Sequence, residues 1–373
     1  MLFVLQDVFF APPDKKMFFK QPLESATNHS SAAPSYTPSN YKNNLTLNWT
    51  PVVLTKAVST PTMGFPPLNQ NENVYQAKDI TYCTVGDKNL VLDLYSDKVP
   101  GLGSQRSMVV YFHGGGFVEG DKEEFDYDVT RVLLSLVNDG FIVASVNYRH
   151  APEYKFPAEI QDAVCAMRFL RYYAYGIGGN QNKIGTFGDS TGGQLSSLVG
   201  ATSGLESFEN TDNESIAGAN LEKADYLKIS SKPNAVVNYY GGANLPDNWL
   251  GILISKQIGG EWHGKNGSYS LPGTMQEVYN FDATLMHEAS AIHYITAGEP
   301  PFLIVQGDKD YLTPPQQAVV FYNKLKSFNN DVTLLVVKNG DHRFVPNPPD
   351  ATMDPSFDSI INTTVDFFKS HLE

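Results

Sequence analysis

The sequence contains few cysteines, and this scarcity excludes two classes of protein. Cys83 and Cys165 are the only cysteines among 373 residues, too few for the disulfide framework of a small secreted domain. No CxxC pair and no cluster of cysteine with histidine indicates a metal site, so we expect no metal. Each cysteine lies in an apolar segment. We therefore predict that both are small buried side chains rather than a bridge or reactive thiols.

The sequence also lacks an excess of basic residues and a long hydrophobic run. Its 27 basic residues stand against 40 acidic ones, which gives a net charge of -13. A nucleic-acid partner is disfavoured because phosphate groups require a basic face. No apolar run approaches the roughly 18–20 residues that cross a bilayer, so no membrane span is expected. Residues 1–10 lack the basic start and cleavage site of a signal peptide, and the compartment stays open.

Residues 1–77 differ in composition from the remainder of the chain. The stretch from Ser25 to Pro51 is rich in serine, asparagine, threonine and proline, which predicts irregular chain rather than a packed domain. This extension either leads flexibly into the next domain or wraps over part of its active-site cleft. From residue 78 to residue 373 strand and helix patterns alternate, which predicts one α/β domain.

The apolar patterns of this domain predict about eight strands in a mostly parallel sheet with helices on both faces. The later strand candidates are short, nearly continuous apolar runs, as expected of parallel strands that are buried on both sides. The candidate strands are 78–83, 90–95, 107–112, 141–147, 183–187, 234–239, 301–306 and 332–337, and the candidate helices are 126–138, 158–174, 191–202, 315–327 and 357–371. The stretch 241–297 exceeds ordinary loop length and predicts a cap over the crevice at the carboxyl ends of the strands.

A G-x-S-x-G sequence supplies the first chemical signal. Gly188-Asp189-Ser190-Thr191-Gly192 follows an apolar strand and opens a helix, which is the strand–turn–helix context of a nucleophile elbow. The glycines are needed because the turn is too tight for side chains. The amino terminus of the helix favours negative charge that develops beside it. We predict that Ser190 is a nucleophile supported by Asp189; the alternative is a glycine-rich structural turn.

A glycine-rich loop supplies the second signal. The sequence His113-Gly114-Gly115-Gly116-Phe117 directly follows the strand candidate 107–112. Glycines let backbone N–H groups approach a substrate oxygen closely, as in an oxyanion hole. A loop that cradles phosphate is the competing reading, but no Lys-Ser/Thr follows and the next residues are acidic. We predict three donors, the N–H groups of Gly114, Gly115 and Thr191, with His113 and Gly116 in support.

Two late loops supply an acid and a base. Asp308 and Asp310 follow the strand candidate 301–306, and His342 follows 332–337. Serine needs an adjacent base at neutral pH, and the imidazole needs a carboxylate that fixes its tautomer. We favour Asp310 over Asp308 as this acid, because an acid just beyond a strand usually caps a turn. Asp341 is adjacent to His342 in sequence, which makes contact with its ring awkward.

With these motifs the sequence resembles the hormone-sensitive-lipase-like and BD-FAE-like esterases of the α/β-hydrolase superfamily. The resemblance runs from Lys78 to the carboxyl terminus. It rests on the segments 90–95, 113–117, 146–153, 156–158 with Asp162, 188–193, 301–304 and 307–310, and on His342. The resemblance implies an α/β-hydrolase fold, no cofactor, and hydrolysis of short- to medium-chain acyl esters, including carbohydrate acetyl or feruloyl esters. It also implies that Arg149 braces the site.

The sequence departs from the pattern of these families beside the predicted site. Thr191 stands where alanine is frequent, and His150 replaces a usual leucine. Asp341 and Arg343 flank His342 where glycine is common. None of these departures removes a catalytic group, but the last pair is expected to alter the pH dependence of His342.

Three functions are compatible with these residues. The first is a serine carboxylesterase with a small-molecule or carbohydrate ester as substrate. The second is an amide or formamide hydrolase, such as an arylformamidase or a peptidase, that uses the same triad. The third is a hydrolase fold that only binds a ligand or partner. The sequence leaves open whether the protein is a monomer or a homo-oligomer.

Overall fold

A computed structural model describes residues 45–52, 74–123, 127–209, 214–245 and 282–373. Ten strands in these ranges form one sheet. The strands are β1 (Thr50–Val52), β2 (Val74–Val85), β3 (Lys88–Ser96), β4 (Arg106–Phe112), β5 (Ile142–Val146), β6 (Gly179–Asp189), β7 (Glu214–Ile216), β8 (Ala235–Tyr239), β9 (Phe302–Gly307) and β10 (Val332–Val337). Their spatial order is β1-β2-β3-β5-β4-β6-β8-β9-β10, and β7 pairs with β2.

The sheet is antiparallel at one side and parallel in its remaining part. The pairs β1–β2, β2–β3 and β3–β5 are antiparallel, whereas β5, β4, β6, β8, β9 and β10 pair in parallel. The chain leaves β4 for β5 on one side and later returns to β6 on the other. Strand order thus reverses at β4, and the crevice outside the carboxyl ends of β4 and β6 is the expected ligand site of an open α/β sheet.

Helices cover both faces of the sheet. They are α1 (Tyr127–Asn138), α2 (Ala158–Tyr172), α3 (Ala174–Ile177), α4 (Thr191–Thr202), α5 (Glu206–Glu209), α6 (Lys223–Tyr226), α7 (Ala283–Glu288), α8 (Pro315–Ser327) and α9 (Phe357–Leu372), with short 3₁₀ turns at Ala291–His293 and His342–Phe344. Successive residues of a strand point to opposite faces. Val110 and Phe112 of β4 accordingly join a core with α2, α4 and α8, whereas Val109 and Tyr111 join a core with α1 and α9.

The observed elements match the predicted alternation, with differences at the edges of the sheet. All eight predicted strands are present, and β1 and β7 were missed because strands of three residues carry no periodic signal. The predicted helix 158–174 is interrupted at Tyr173, where α2 ends and α3 follows. Residues 50–52 and 74–77 belong to the sheet, although the sequence analysis assigned them to the irregular extension.

Large parts of two predicted regions lie outside the described residues. These parts are residues 1–44 and 53–73 of the extension and residues 246–281 of the predicted cap. Within the described ranges, no helix combines the length and apolar character that a transmembrane segment requires.

The two cysteines form a disulfide bridge, so the prediction of two separate buried thiols was wrong. Cys83 of β2 is bonded to Cys165 of α2, with 6.3 Å between their Cα atoms. The sequence showed only that each cysteine lies in an apolar segment. The packing of α2 on β2 brings together side chains that are 82 residues apart. The bridge ties the antiparallel side of the sheet to the helix that covers it.

We expect the bridge to stabilise the fold by restricting the unfolded chain. Reduction, or the double substitution Cys83→Ala with Cys165→Ala, should lower the free energy of unfolding by about 2–4 kcal/mol. Guanidinium unfolding with and without a phosphine reductant measures this difference. The double variant is the control, because reductant should leave its midpoint unchanged. Equal midpoints for the oxidised and reduced wild-type protein would contradict the expectation.

Glu159, in the first turn of α2, carries a buried carboxyl group. Its side chain is 2% exposed, and neither oxygen is hydrogen-bonded to another of the described residues. Burial, reinforced by the charge of Asp162, raises the pKa of Glu159 from 4.5 to about 8, while the residue's own backbone N–H group and the charge of Arg149 oppose the shift. The carboxyl group is therefore mainly protonated at neutral pH in the folded protein and ionised in the unfolded chain.

This difference makes part of the stability dependent on pH. Because the folded-state pKa is raised, the contribution of Glu159 is complete below its unfolded pKa and is lost as the pH rises through about 8. Between pH 5 and pH 9, we expect the free energy of unfolding to decrease by a few kcal/mol less in Glu159→Gln than in the wild-type protein. Denaturant titrations at several pH values measure the two slopes. Parallel profiles for the wild-type protein and the variant would refute the assignment.

Candidate active site

Ser190 lies in a sharp turn between β6 and α4. Its backbone has φ 52° and ψ -121°, a positive φ that a residue with a side chain rarely adopts. The turn also packs closely against the end of β4. A Cβ atom at Gly192 would lie 2.0 Å from the carbonyl oxygen of Phe112, so only glycine fits there. The turn presents the half-buried Ser190 side chain at the carboxyl edge of the sheet.

Two hydrogen bonds connect Ser190 to His342 and His342 to Asp310. The Nε2 atom of His342 is 3.1 Å from Oγ of Ser190, and its Nδ1 atom is 2.8 Å from Oδ2 of Asp310. The three side chains come from the ends of β6, β9 and β10, and 152 residues separate the serine from the histidine. The structure thus brings together the three residues that the sequence analysis selected. This arrangement can transfer a proton from the serine hydroxyl to the imidazole.

The Asp310 carboxylate is buried and fixed by several donors. Its Oδ1 atom accepts the N–H groups of Leu312 at 2.9 Å and Thr313 at 2.8 Å. Its Oδ2 atom accepts Nε2 of Gln306 at 3.0 Å in addition to the imidazole of His342. These donors hold the carboxylate in one orientation, with Oδ2 directed at the ring. Sequence reasoning missed Gln306, because a glutamine inside a buried strand carries no motif.

Asp308 and Asp341, the other two acids of these loops, accept hydrogen bonds from backbone N–H groups instead of from the imidazole of His342. Asp308 accepts the N–H group of Asn339 at 2.6 Å and joins the two loops. Asp341 accepts the N–H group of His342 at 2.7 Å and Nδ2 of Asn347 at 2.8 Å. The Asp341 carboxylate therefore caps the short turn that carries His342. Its expected influence on the pH dependence of His342 stays a prediction.

The amides of Gly114, Gly115 and Gly116 in the glycine loop differ in whether they donate hydrogen bonds within the described part of the protein. The N–H group of Gly114 donates to Oδ1 of Asp189 at 3.1 Å, so the prediction that it is a free donor does not match the structure. The N–H group of Gly116 donates to Oγ1 of Thr191 at 3.1 Å. The Gly115 amide donates to none of the described residues. Gly115 has φ 120°, and a Cβ atom there would lie 2.1 Å from the carbonyl oxygen of Glu119.

Thr191 opens α4 directly behind the nucleophile. The first N–H groups of a helix have no acceptor within the helix, so the Thr191 amide is available on the same side as Ser190. The Gly115 and Thr191 amides are thus the two predicted donors that the structure leaves available for a substrate oxygen. The electrostatic field of the helix terminus adds to their effect.

The buried side chain of Asp189 fixes the glycine loop to the turn that carries Ser190. Its Oδ1 atom accepts the Tyr111 hydroxyl at 2.6 Å as well as the Gly114 amide. Burial raises the pKa of Asp189, and these two hydrogen bonds oppose the shift. Sequence reasoning missed Tyr111 because a tyrosine in a central strand resembles an ordinary core residue.

His113 supports the loop through its ring. The ring stacks on Tyr148 with 4.4 Å between centroids and meets His150 edge-on at 5.3 Å. Its Nδ1 atom lies 2.7 Å from the carbonyl oxygen of Gly114, and the Tyr148 hydroxyl donates to the His113 carbonyl oxygen at 2.6 Å. Burial lowers the pKa of His113 to about 4, so the ring is neutral at neutral pH. Arg149, paired with the buried Asp162, holds the next turn of chain in place.

Two clusters of potential metal ligands occur among the described residues, and neither includes a residue of the triad. Cys83 and Cys165 lie near Glu214, but both sulfur atoms are consumed by the bridge. Asp79, Asp93 and Glu123 form the second group. The ammonium group of Lys122 lies within 3.1 Å of a carboxylate oxygen of each acid and offsets part of their negative charge.

This fold and this serine–histidine–aspartate arrangement define the class of α/β-hydrolases. The model of the BD-FAE family matches residues 92–325, and the chain belongs to this family. The matched range includes Ser190 and Asp310, while His342 lies beyond it.

Two curated relatives are esterases by name. Esterase LipC of Mycobacterium tuberculosis is 25% identical over 243 residues, which cover 64% of this chain and 53% of LipC. An arylesterase of Saccharolobus solfataricus is 35% identical over 149 residues, which cover 37% of this chain and 46% of the relative. The chain thus spans about half the length of the curated relatives that it matches.

Solved structures share the fold. A truncated carbohydrate esterase from gut microbiota superimposes with a TM-score of 0.57 at 22% identity, covering 79% of this chain and 95% of the other. Thermogutta terrifontis esterase 2 phosphorylated by paraoxon superimposes with a TM-score of 0.56 at 20% identity, covering 79% and 93%. These similarities confirm the predicted α/β-hydrolase fold.

The reactivity of Ser190 can be tested without knowledge of a substrate. We expect a fluorophosphonate probe to label Ser190 in the wild-type protein, because His342 removes the hydroxyl proton as the oxygen attacks phosphorus and fluoride leaves. Asp310→Asn should slow labelling by about 10²–10⁴-fold, since the imidazole loses the partner that fixes its tautomer. Peptide mapping and gel fluorescence measure site and rate.

Asp308→Asn is the matched control on the same loop. Its amide oxygen can still accept the Asn339 N–H group, so labelling should stay within about threefold of the wild-type rate. Equal slowing by the two substitutions would argue against the contact between Asp310 and His342 as the cause.

Proposed function

We propose that the protein is a serine carboxylesterase that hydrolyses short- to medium-chain acyl esters through an acyl-Ser190 intermediate. The observation that carries this proposal is the continuous line from Ser190 Oγ to His342 Nε2 at 3.1 Å and from His342 Nδ1 to Asp310 Oδ2 at 2.8 Å. The esterase names of the curated relatives support the choice of reaction.

The first half of the proposed reaction forms the acyl-enzyme. Oγ of Ser190 attacks the ester carbonyl carbon while His342 Nε2 takes the hydroxyl proton. The electron pair of the C=O bond moves to the carbonyl oxygen, which becomes an oxyanion. When this intermediate collapses, the bond to the alcohol oxygen breaks. The protonated His342 then gives its proton to the departing alkoxide, and the alcohol leaves.

The second half regenerates the serine. A water molecule replaces the alcohol, gives a proton to His342 and attacks the acyl carbon. Collapse of the second oxyanion returns the proton to Ser190 and releases a carboxylic acid. Asp310 keeps its contact with the imidazole throughout, because its backbone and Gln306 donors fix the carboxylate in place. Its role is to hold the tautomer that presents Nε2 to the serine.

Stabilisation of the oxyanion is assigned to amides beside Ser190. The Gly115 and Thr191 N–H groups are the available backbone donors, and each preorganised donor of this kind contributes roughly 3–4 kcal/mol at the transition state. Asp189, Tyr111 and His113 hold the loop that presents Gly115. No cofactor takes part in this scheme.

The proposed substrate class is a neutral ester, with carbohydrate acetyl or feruloyl esters as the specific candidates. The BD-FAE family membership and the named carbohydrate esterase among the structural neighbours support this choice. The net charge of -13 disfavours strongly anionic substrates. A panel of p-nitrophenyl esters of increasing chain length, together with acetylated xylan and methyl ferulate, identifies the preferred acyl group.

Amide hydrolysis is a second candidate function. Bovine arylacetamide deacetylase is 32% identical over 140 residues, which cover 36% of this chain and 32% of that protein. The same triad serves both reactions, because only the leaving group differs. Turnover of an ester and of its matched anilide, measured in one assay, separates the two functions.

Removal of the nucleophile tests the proposed function directly. We expect Ser190→Ala to lower kcat for p-nitrophenyl acetate or butyrate by at least about 10⁴-fold, because no acyl-enzyme can form. Circular dichroism should show unchanged secondary structure. Ser203→Ala, at the other end of α4, is the control, since its hydroxyl bonds only the Val199 carbonyl oxygen among the described residues. Retained turnover in Ser190→Ala would overturn the proposal.

A further inference from the structure

The glycine loop is attached to the elbow on both sides of the nucleophile. The Gly114 amide bonds Asp189, which precedes Ser190, and the Gly116 amide bonds Thr191, which follows it. Two of three successive amides are therefore used within the protein. An oxyanion hole built only from backbone would be left with Gly115 and the Thr191 N–H group. The hydroxyl of Thr191 stands beside this pair.

The Thr191 hydroxyl has an unused proton. Its Oγ1 atom accepts the Gly116 amide at 3.1 Å, and it donates to none of the described residues. A hydroxyl group has one donor and two acceptor sites. The accepted hydrogen bond draws electron density from the oxygen and makes the O–H a stronger donor. The side chain is half-buried beside the equally half-buried Ser190, so its proton can point into the crevice.

We propose that the Thr191 hydroxyl is a catalytic hydrogen-bond donor to the oxyanion. The proposal rests on the esterase function proposed above and adds a side-chain donor to it. The substrate oxygen receives hydrogen bonds from the Gly115 N–H group, the Thr191 N–H group and the Thr191 O–H group. The Gly116 amide holds Oγ1 in position. No proton leaves the hydroxyl, because the oxyanion is stabilised by hydrogen bonding and not by protonation.

The position of the residue explains why this chain can use a side chain here. An alanine, frequent at this position in the families that the sequence resembles, offers no hydroxyl. With threonine, the Gly116 amide donates a hydrogen bond to the side-chain oxygen. This bond polarises the hydroxyl group and makes it a stronger donor to the substrate oxygen. The opposite role, in which the hydroxyl blocks the Gly116 amide from the substrate, predicts that its removal accelerates the reaction. Substitution of Thr191 distinguishes these two roles.

Thr191→Val removes the hydroxyl and keeps the size of the side chain and the backbone N–H group. We expect it to lower kcat for p-nitrophenyl acetate about 10–100-fold with less than about a threefold change in KM, because the lost bond forms only with the oxyanion. Thr191→Ser keeps the hydroxyl and should retain most of the activity. Thr191→Ala gives a second hydroxyl-free variant if valine disturbs the start of α4.

An alkyl trifluoromethyl ketone provides a readout that a purely structural role would not change. It adds to Ser190 and forms a stable oxyanion that mimics the tetrahedral intermediate. Its inhibition constant should rise in Thr191→Val by about the factor lost from kcat/KM. Thr202→Val, at the end of the same helix, is the control: it removes a hydroxyl bonded to the Leu198 carbonyl oxygen and should change neither kcat nor ketone affinity.

Each outcome either supports or contradicts the role of the Thr191 hydroxyl as a donor to the oxyanion. Turnover by Thr191→Val equal to or faster than that of the wild-type protein would overturn the proposal, and so would a loss of turnover with unchanged ketone affinity. Failure of the wild-type protein itself to hydrolyse esters or to react with the ketone would instead overturn the proposed function. The two failures are therefore distinguishable.

Discussion

The close contact between the nucleophile turn and the end of β4 is the constraint on which the site depends. β4 and β6 are paired in register up to Phe112 and Gly188, so the loops that follow them leave the sheet at the same height. Glycine at position 192 lets the elbow touch the carbonyl oxygen of Phe112. Any side chain there would separate the two loops and move the Gly115 amide away from Ser190.

Two buried aspartates, Asp310 and Asp189, support the site around Ser190, and their surroundings give them different roles. Asp310 receives two backbone amides, a glutamine and the imidazole, so it orients the base. Asp189 receives a tyrosine hydroxyl and a glycine amide, so it orients the loop. Burial of an unpaired carboxylate would be costly. Each acid therefore stabilises the site only because its hydrogen-bond donors are provided by neighbouring strands and loops.

Features that depend on neighbouring residues could be predicted from the sequence, and features that depend on contacts between distant residues could not. Local patterns predicted all eight long strands, and motifs with fixed spacing predicted Ser190 and its neighbours. The bridge between Cys83 and Cys165 was missed because it depends on the packing of α2 against β2. The assignment of Gly114 differed for the same reason: the partner of its amide is a side chain 75 residues away. Gln306 and Tyr111 were missed because buried polar residues in strands have no sequence signature.

The sequence by itself determined the order of elements, the tight turn at Ser190 and the set of residues that can supply a nucleophile, a base and an acid. These properties depend on local steric limits and on alternating apolar patterns, which are written in neighbouring residues. Only the tertiary structure decided between Asp308 and Asp310, assigned each glycine amide to its acceptor and closed the disulfide. Hydrogen bonds require separations near 3 Å. Such separations between residues distant in the chain are set by the packing of the sheet and its helices.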